Sequence, residues 1–153
     1  MRLVVQRVTR AAVRVDDDTL GAIGPGAVVL VGVGHDDTPE LADRMAAKLA
    51  GLRYFPDAQS RTNADIGDAG GAFLVISQFT LYAELRRGRR PGFTDAAAPE
   101  LAAPLVDRFV DALRALGHRV ETGRFGASMQ VELLNDGPFT LILDSSTDLG
   151  PAQ

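Results

Sequence analysis

An α+β fold is what the 153-residue sequence predicts, on three observations. Short β-branched runs outnumber helical stretches, and only two segments carry a long apolar stripe at helical spacing. The elements also follow one another in an order that does not alternate regularly, as a doubly wound sheet would. Length predicts a single domain over residues 1–148 with a loose tail at 149–153.

In order along the chain, residues 2–8 (RLVVQRV) and 11–15 (AAVRV) are short, β-branched and partly alternating, which predicts two strands. Asp16–Asp18 supplies a turn and residues 19–23 a further strand. Gly24-Pro25-Gly26 then punctuates the chain before residues 27–33 (AVVLVGV), whose unbroken apolar run fits a strand buried on both faces. These runs predict a β-meander. Thr38-Pro39-Glu40 resembles a helix cap with proline at the first helical position. Leu41, Met45, Leu49 and Leu52 continue it as an amphipathic stripe. Residues 56–71, rich in Asp, Gly, Asn and Ser, predict a long exposed loop, and residues 72–78 a buried strand. Between Pro99 and Leu116, the positions Leu101, Leu105, Phe109, Leu113 and Leu116 form a second stripe, closed by Gly117. Strands near 118–123, 128–134 and 139–144 complete the domain. Asn135-Asp136-Gly137-Pro138 between the last two is a hairpin turn on its composition alone.

Composition narrows the chemistry. The net charge of −4 excludes a chain that is basic overall, yet Arg86, Arg87, Arg89 and Arg90 put four positive charges into five residues. Such a run is either a solvated turn or a grip on phosphates, and its start six residues after Thr80 favours phosphates. No stretch reaches the ~18 apolar residues of a membrane span, and the opening residues lack a secretory pattern, so a cytoplasmic chain is expected. Two histidines, His35 and His118, and no cysteine cannot build a usual zinc site. No serine sits in a G-x-S-x-G elbow and no phosphate-binding GxxxxGK[ST] occurs. Neither metal nor cofactor is expected.

The chemistry that remains lies in two segments. Ser77-Gln78-Phe79-Thr80-Leu81 follows the apolar run FLVI, which places two hydroxyls and an amide where a strand leaves the core. Taken alone, such groups satisfy strand-end backbone. Asn135-Asp136-Gly137-Pro138-Phe139-Thr140 is the second segment. The pair resembles the SQxTL and NxGPxT motifs of the D-aminoacyl-tRNA deacylase family, and both motifs are complete. Gln6-Arg7-Val8, Gly88–Phe93 and Thr122–Gly126 resemble further family segments in the right order, so the likeness runs from Met1 to about Asp144. Gly92 and Ser128 depart from the family pattern outside the two motifs.

The resemblance implies a β-rich, barrel-like domain with two main amphipathic helices packed outside, working as a twofold homodimer. It implies hydrolysis of the ester in D-aminoacyl-tRNA, with release of D-amino acid and tRNA. Each site would combine SQxTL of one subunit with Gly137-Pro138 of the other, the proline being cis. Those main-chain groups would hold the substrate's α-amino group and crowd out an L side chain. Glycine would pass, so glycyl-tRNA mischarged on a tRNA for alanine is an expected substrate.

Thr80 and Gln78 are the catalytic candidates. Ser77, Phe79, Asn135, Gly137 and Pro138 would bind the substrate, and Phe125 and Met129 would line a pocket for the terminal adenosine. Thr80 is either a nucleophile or a positioning group beside backbone N–H donors of Phe79 and Thr80, the terminal 2′-hydroxyl then activating water. Arg86, Arg87, Arg89 and Arg90 would hold the acceptor stem. Arg7 serves either the terminal nucleotides or an internal salt bridge. Two other readings compete: a small-molecule D-amino acid esterase using Thr80, and a module that binds aminoacyl-tRNA without cleaving it.

Overall fold

One pair of unusually long strands organises the chain. The computed structural model describes residues 1–86 and 88–150, so Arg87 of the basic run and residues 151–153 of the tail lie outside the described residues. Strand β1 (Arg2–Val15) runs antiparallel to β8 (Gln130–Asp144) along almost its whole length. Its other edge pairs with β3 (Gly26–Gly32) over Arg2–Val8 and with β2 (Asp18–Ile23) over Ala11–Val15. Residues 2–8 and 11–15 are thus one strand, not two. The expected meander is corrected as well, because β3 pairs with β1 rather than with β2.

Beyond β3 the sheet turns parallel. Helix α1 (Pro39–Ala50) crosses over to β6 (Ala72–Ser77), which lies beside β3, and α2 (Pro99–Ala115) crosses to β7 (Val120–Thr122) beside β6. Thr38 caps α1 through its hydroxyl, which accepts from Leu41 N–H at 3.2 Å, and Pro39 opens it as the sequence predicts. Among the described residues this makes a six-stranded mixed sheet, nearly closed and barrel-like, with α1 and α2 packed together on its outside.

Two cores result. Val29, Val31, Phe73 and Val75 point to the helices, against Met45, Leu49, Phe109 and Leu113. Val28, Leu74 and Ile76 point the other way and meet Val8, Val13 and Ile23 inside the barrel. Strands β3 and β6 therefore bury both faces, which is why their sequences are apolar throughout. Strand β1 serves both cores. Leu3 and Val5 join the helix-side core, a register irregularity intervenes, and Val8, Ala11 and Val13 join the barrel core.

Smaller departures have local causes. The expected loop at 56–71 contains a short ladder, β4 (Phe55–Pro56) with β5 (Thr62–Ala64), and plugs the core with fully buried Ile66. Leu101 and Leu116 lie at the ends of α2 and stay exposed, while Ala102, Val106 and Val110 take the buried face. A last turn of helix, α3 (Ser145–Asp148), follows β8, and Leu149 packs against the helix-side core. No described helix is long and apolar enough to cross a membrane.

Candidate active site

The two parallel strands β3 and β6 end side by side, and a cavity opens beyond their carboxyl ends, where sheets of this kind commonly bind ligands. At Ser77 the ladder finishes with Gln78 N–H donating to Val31 O at 2.7 Å. The chain then tightens into a 3-10 turn over Phe79–Tyr82. Gln78 Nε2 donates to Thr80 Oγ1 at 2.6 Å, so the hydroxyl oxygen already accepts a hydrogen bond. No imidazole or carboxylate hydrogen-bonds to Thr80 among the described residues. An oxygen that accepts an amide donor and lacks a base is a poor nucleophile, though its own proton is free to be donated. The N–H groups of Phe79 and Thr80 open the turn and donate to no described acceptor, as the first donors of any helical turn do not.

The cavity has a volume of about 530 Å³, within the usual range for small-molecule sites, and its lining is mainly apolar. Ser77, Gln78 and Phe79 form one part of its wall, and Phe125 and Met129 form a second. Arg124 N–H contacts Met129 Sδ at 3.4 Å, folding this second wall back on itself. Phe93 completes the mouth, with its ring edge-on to Phe79 at 5.0 Å between centroids. Phe79, Phe93 and Phe125 remain 57, 38 and 40% exposed, so three aromatic faces are available to a flat ligand. Phe93 was not singled out as a site residue from sequence, although it ends the Gly88–Phe93 stretch. Ala96 and Pro99, which also line the cavity, carry no sequence signal at all.

The second motif is built differently. It is not a hairpin turn: residues on both sides of it pair with β1 in one direction, Asn135 opposite Val8 and Thr140 opposite Gln6. Residues 136–139 therefore bulge out against the single residue Arg7. Asn135 closes the bulge, its Oδ1 accepting from Phe139 N–H at 2.9 Å and its Nδ2 donating to Thr140 Oγ1 at 3.2 Å. That amide shapes the loop through both its oxygen and its nitrogen, each of which keeps one further hydrogen-bonding site. Arg7 clamps the base of the bulge. It donates through Nε to Asp136 O at 3.2 Å and through Nη1 to Tyr54 O at 2.7 Å, and it lies 3.3 Å from the Asp136 carboxylate. Its guanidinium also covers the Phe139 ring at 4.8 Å, and its side chain is only 12% exposed. Of the two roles expected for Arg7, the internal one is what the geometry shows.

Held this way, Gly137 and Pro138 protrude into solvent, joined by a cis peptide bond. Gly137 has φ +133°, and a Cβ there would lie 2.9 Å from Phe139 N and 3.2 Å from Arg7 Nη2, so glycine is required. Within one chain the two motifs stay apart. Thr140 and Ser77 are separated by three strand spacings and three residues of rise, roughly 17 Å on a flat sheet. No residue of the second motif lines the cavity.

The basic run sits on a loop closed by Glu84 and Gly92, which exchange two backbone hydrogen bonds of 2.8 and 3.0 Å. Arg86 is paired with Glu84 at 3.2 Å, whereas Arg89 and Arg90 are exposed and make no ion pair among the described residues. Phe93, three residues after Arg90, lines the cavity, so this loop adjoins the site.

Similarity to known proteins covers nearly the whole chain. The family model described as D-Tyr-tRNA(Tyr) deacylase matches residues 4–144. A D-aminoacyl-tRNA deacylase of Symbiobacterium thermophilum is 58% identical over 145 residues, covering 95% of this chain and 96% of the relative. That of Thermotoga petrophila is 53% identical over 146 residues, covering 95% and 98%. Among solved structures, a c-Myc DNA unwinding element binding protein superposes with a TM-score of 0.88 at 37% identity, over 99% of this chain and all of the other. A probable eukaryotic D-amino acid tRNA deacylase, at 19% identity and a TM-score of 0.83, shares the fold over 93% of this chain and 97% of its own.

Proposed function

The chain belongs to the D-Tyr-tRNA(Tyr) deacylase family, and we propose from this how its own residues carry out the reaction. The protein is a D-aminoacyl-tRNA deacylase: it hydrolyses the ester between a D-amino acid and tRNA and releases both. In the proposed mechanism the terminal adenosine enters between Phe79, Phe93 and Phe125, with Met129 against the base. Backbone N–H groups of Phe79 and Thr80 stabilise the oxyanion that forms as water attacks the ester carbonyl. Gln78 holds Thr80, whose hydroxyl donates to the substrate, and the adenosine 2′-hydroxyl helps activate the water. The observation that carries this reading is the Gln78–Thr80 hydrogen bond, which leaves Thr80 without a base and with an oxygen already engaged.

Chirality is enforced by Gly137 and Pro138 of a second subunit. Their protrusion, and their separation from the cavity of their own chain, support a composite site in a twofold homodimer. Crowding by rigid main chain rejects an L side chain and lets glycine through, so mischarged glycyl-tRNA is also a substrate. Arg89 and Arg90 grip acceptor-stem phosphates, together with Arg86 and Arg87 of the same basic run. The reaction takes place in the cytoplasm, where tRNA is charged.

Release of amino acid from matched D-Tyr-tRNA and L-Tyr-tRNA tests the reading, with only the D ester and glycyl esters expected to turn over. Equal rates would refute chiral discrimination. Binding without release would indicate the non-catalytic module, and cleavage of small D-amino acid esters as fast as tRNA the simple esterase. The dimer has its own test. Protein with Gln78 and Thr80 replaced, mixed equally with protein carrying Gly137→Ala, should recover about a quarter of full activity through hybrids with one intact site.

A further inference from the structure

The catalytic turn is fastened at both ends, and the fastening at its far end has no part in the mechanism above. At the near end Gln78 N–H is tied to Val31 O. At the far end Leu81 O, the kind of carbonyl a helical turn leaves orphaned, accepts from Arg2 Nη1 at 3.1 Å. Arg2 Nε donates to Asp144 Oδ2 at 2.7 Å, and the guanidinium lies 4.5 Å from the centre of the Tyr82 ring. Asp144 is itself fixed by Ser146, whose N–H and hydroxyl both donate to Oδ1, at 3.0 and 2.7 Å.

Tyr82 also packs closely on backbone. A Cβ at Gly34 would lie 3.0 Å from three atoms of the Tyr82 side chain, and one at Gly32 would lie 3.0 Å from Leu81 Cβ and 3.1 Å from Gln78 O. The ring of the residue that ends the turn thus lies against both Gly34 and the Arg2 guanidinium. Burial raises the Asp144 carboxyl, but hydrogen bonds from Ser146 and Arg2 outweigh it and hold the group at about 2. Burial and nearby Asp37 push the Tyr82 hydroxyl above its ordinary value. The pair stays charged and the ring neutral at any pH where the ester can be assayed.

We propose that Arg2 and Tyr82 are positioning residues that set the height of the 78–82 turn over the cavity, and with it the oxyanion donors of Phe79 and Thr80. This rests on the reading of that turn as the catalytic one. Neither residue touches the cavity. Both act through the turn, whose donors must sit within a few tenths of an ångström of the developing oxyanion.

Steady-state kinetics on D-Tyr-tRNA with the full-length protein tests this. Arg2→Ala is expected to lower kcat about tenfold with KM within about twofold, the signature of an interaction made only in the transition state. Arg2→Lys should recover part of the loss, because an ammonium reaches one acceptor but cannot make the flat, forked contact. Tyr82→Leu should match Arg2→Ala, Tyr82→Phe should retain nearly full kcat, and the double variant Arg2→Ala/Tyr82→Leu should be little worse than either alone. Amide resonances of Phe79 and Thr80 should shift in Arg2→Ala while those of Phe125 and Met129 stay. A folded Arg2→Ala protein with unchanged kcat or unmoved Thr80 overturns the inference. So does a rise in KM alone, which would make Arg2 a tRNA contact. Should Arg2→Ala fail to fold, equal kcat in Tyr82→Leu and Tyr82→Phe is the overturning result. Absence of turnover in the unmutated protein would instead remove the premise.

Discussion

In the proposed composite site the two motifs present opposite parts of the chain to the substrate. The 77–81 segment offers an amide, a hydroxyl and free N–H groups at the rim of an apolar cavity. In the 135–140 bulge, Asn135, Asp136 and Phe139 turn back onto Arg7, Tyr54 and one another, leaving Gly137 and Pro138 outermost. One region supplies hydrogen-bonding groups that can respond to charge forming on the ester. The other supplies shape. A filter made of main chain cannot be tuned by swapping a side chain, and this suits discrimination by handedness rather than by side-chain identity.

The bulge is the more sensitive of the two regions. Gly137→Ala adds a Cβ where 2.9 Å is available, so the protrusion must move, and kcat/KM for D-Tyr-tRNA is expected to fall about a hundredfold or more while the protein remains folded, with only a modest drop in thermal stability. A loss below about threefold would show that the protrusion does not shape the site. At the turn the effects divide between protein and RNA. Substrate ending in 2′-deoxyadenosine, charged at the 3′ position, should react about a hundredfold more slowly. Thr80→Ala should cost only about tenfold, since the N–H donors survive it. An acyl group trapped on Thr80 at a competent rate would reverse that assignment. The smallest effect belongs to the basic loop. Arg89→Ala/Arg90→Ala should raise KM about tenfold, reduce the slope of log affinity against log salt by up to about 2, and leave kcat unchanged.

Much of this arrangement can be read from sequence because it is local. Thr38-Pro39 caps a helix, AVVLVGV spans a doubly covered strand, and each motif is contiguous. What sequence hides is pairing across distance. Asn135-Asp136-Gly137-Pro138 has the composition of a hairpin, and only its register against β1, over a hundred residues earlier, makes it a bulge. Residues 2–8 and 11–15 each alternate on their own, so the shift between them looks like a break until both are seen on one partner strand. Ile66 is a single apolar residue in a polar stretch, too little for any periodicity to flag. Arg2 meets a carbonyl oxygen and the face of the Tyr82 ring, contacts that leave no pattern in sequence.

The long pair of β1 and β8 also sets a timetable for the nascent chain. Arg2 faces Asp144 and Arg14 faces Gln130, so every rung between them joins the first strand made to the last. At translation speeds of about 5–20 residues per second, β1 waits on the order of ten seconds before β8 emerges. Throughout that interval the edge of β1 that β8 will cover stands open. Loop closure over such a span also slows folding once the chain is complete. The polar side chains of Arg2, Gln6, Arg7, Thr9, Arg10 and Arg14 interrupt the apolar residues of this strand, and such charges disfavour pairing of a waiting edge with a neighbouring chain.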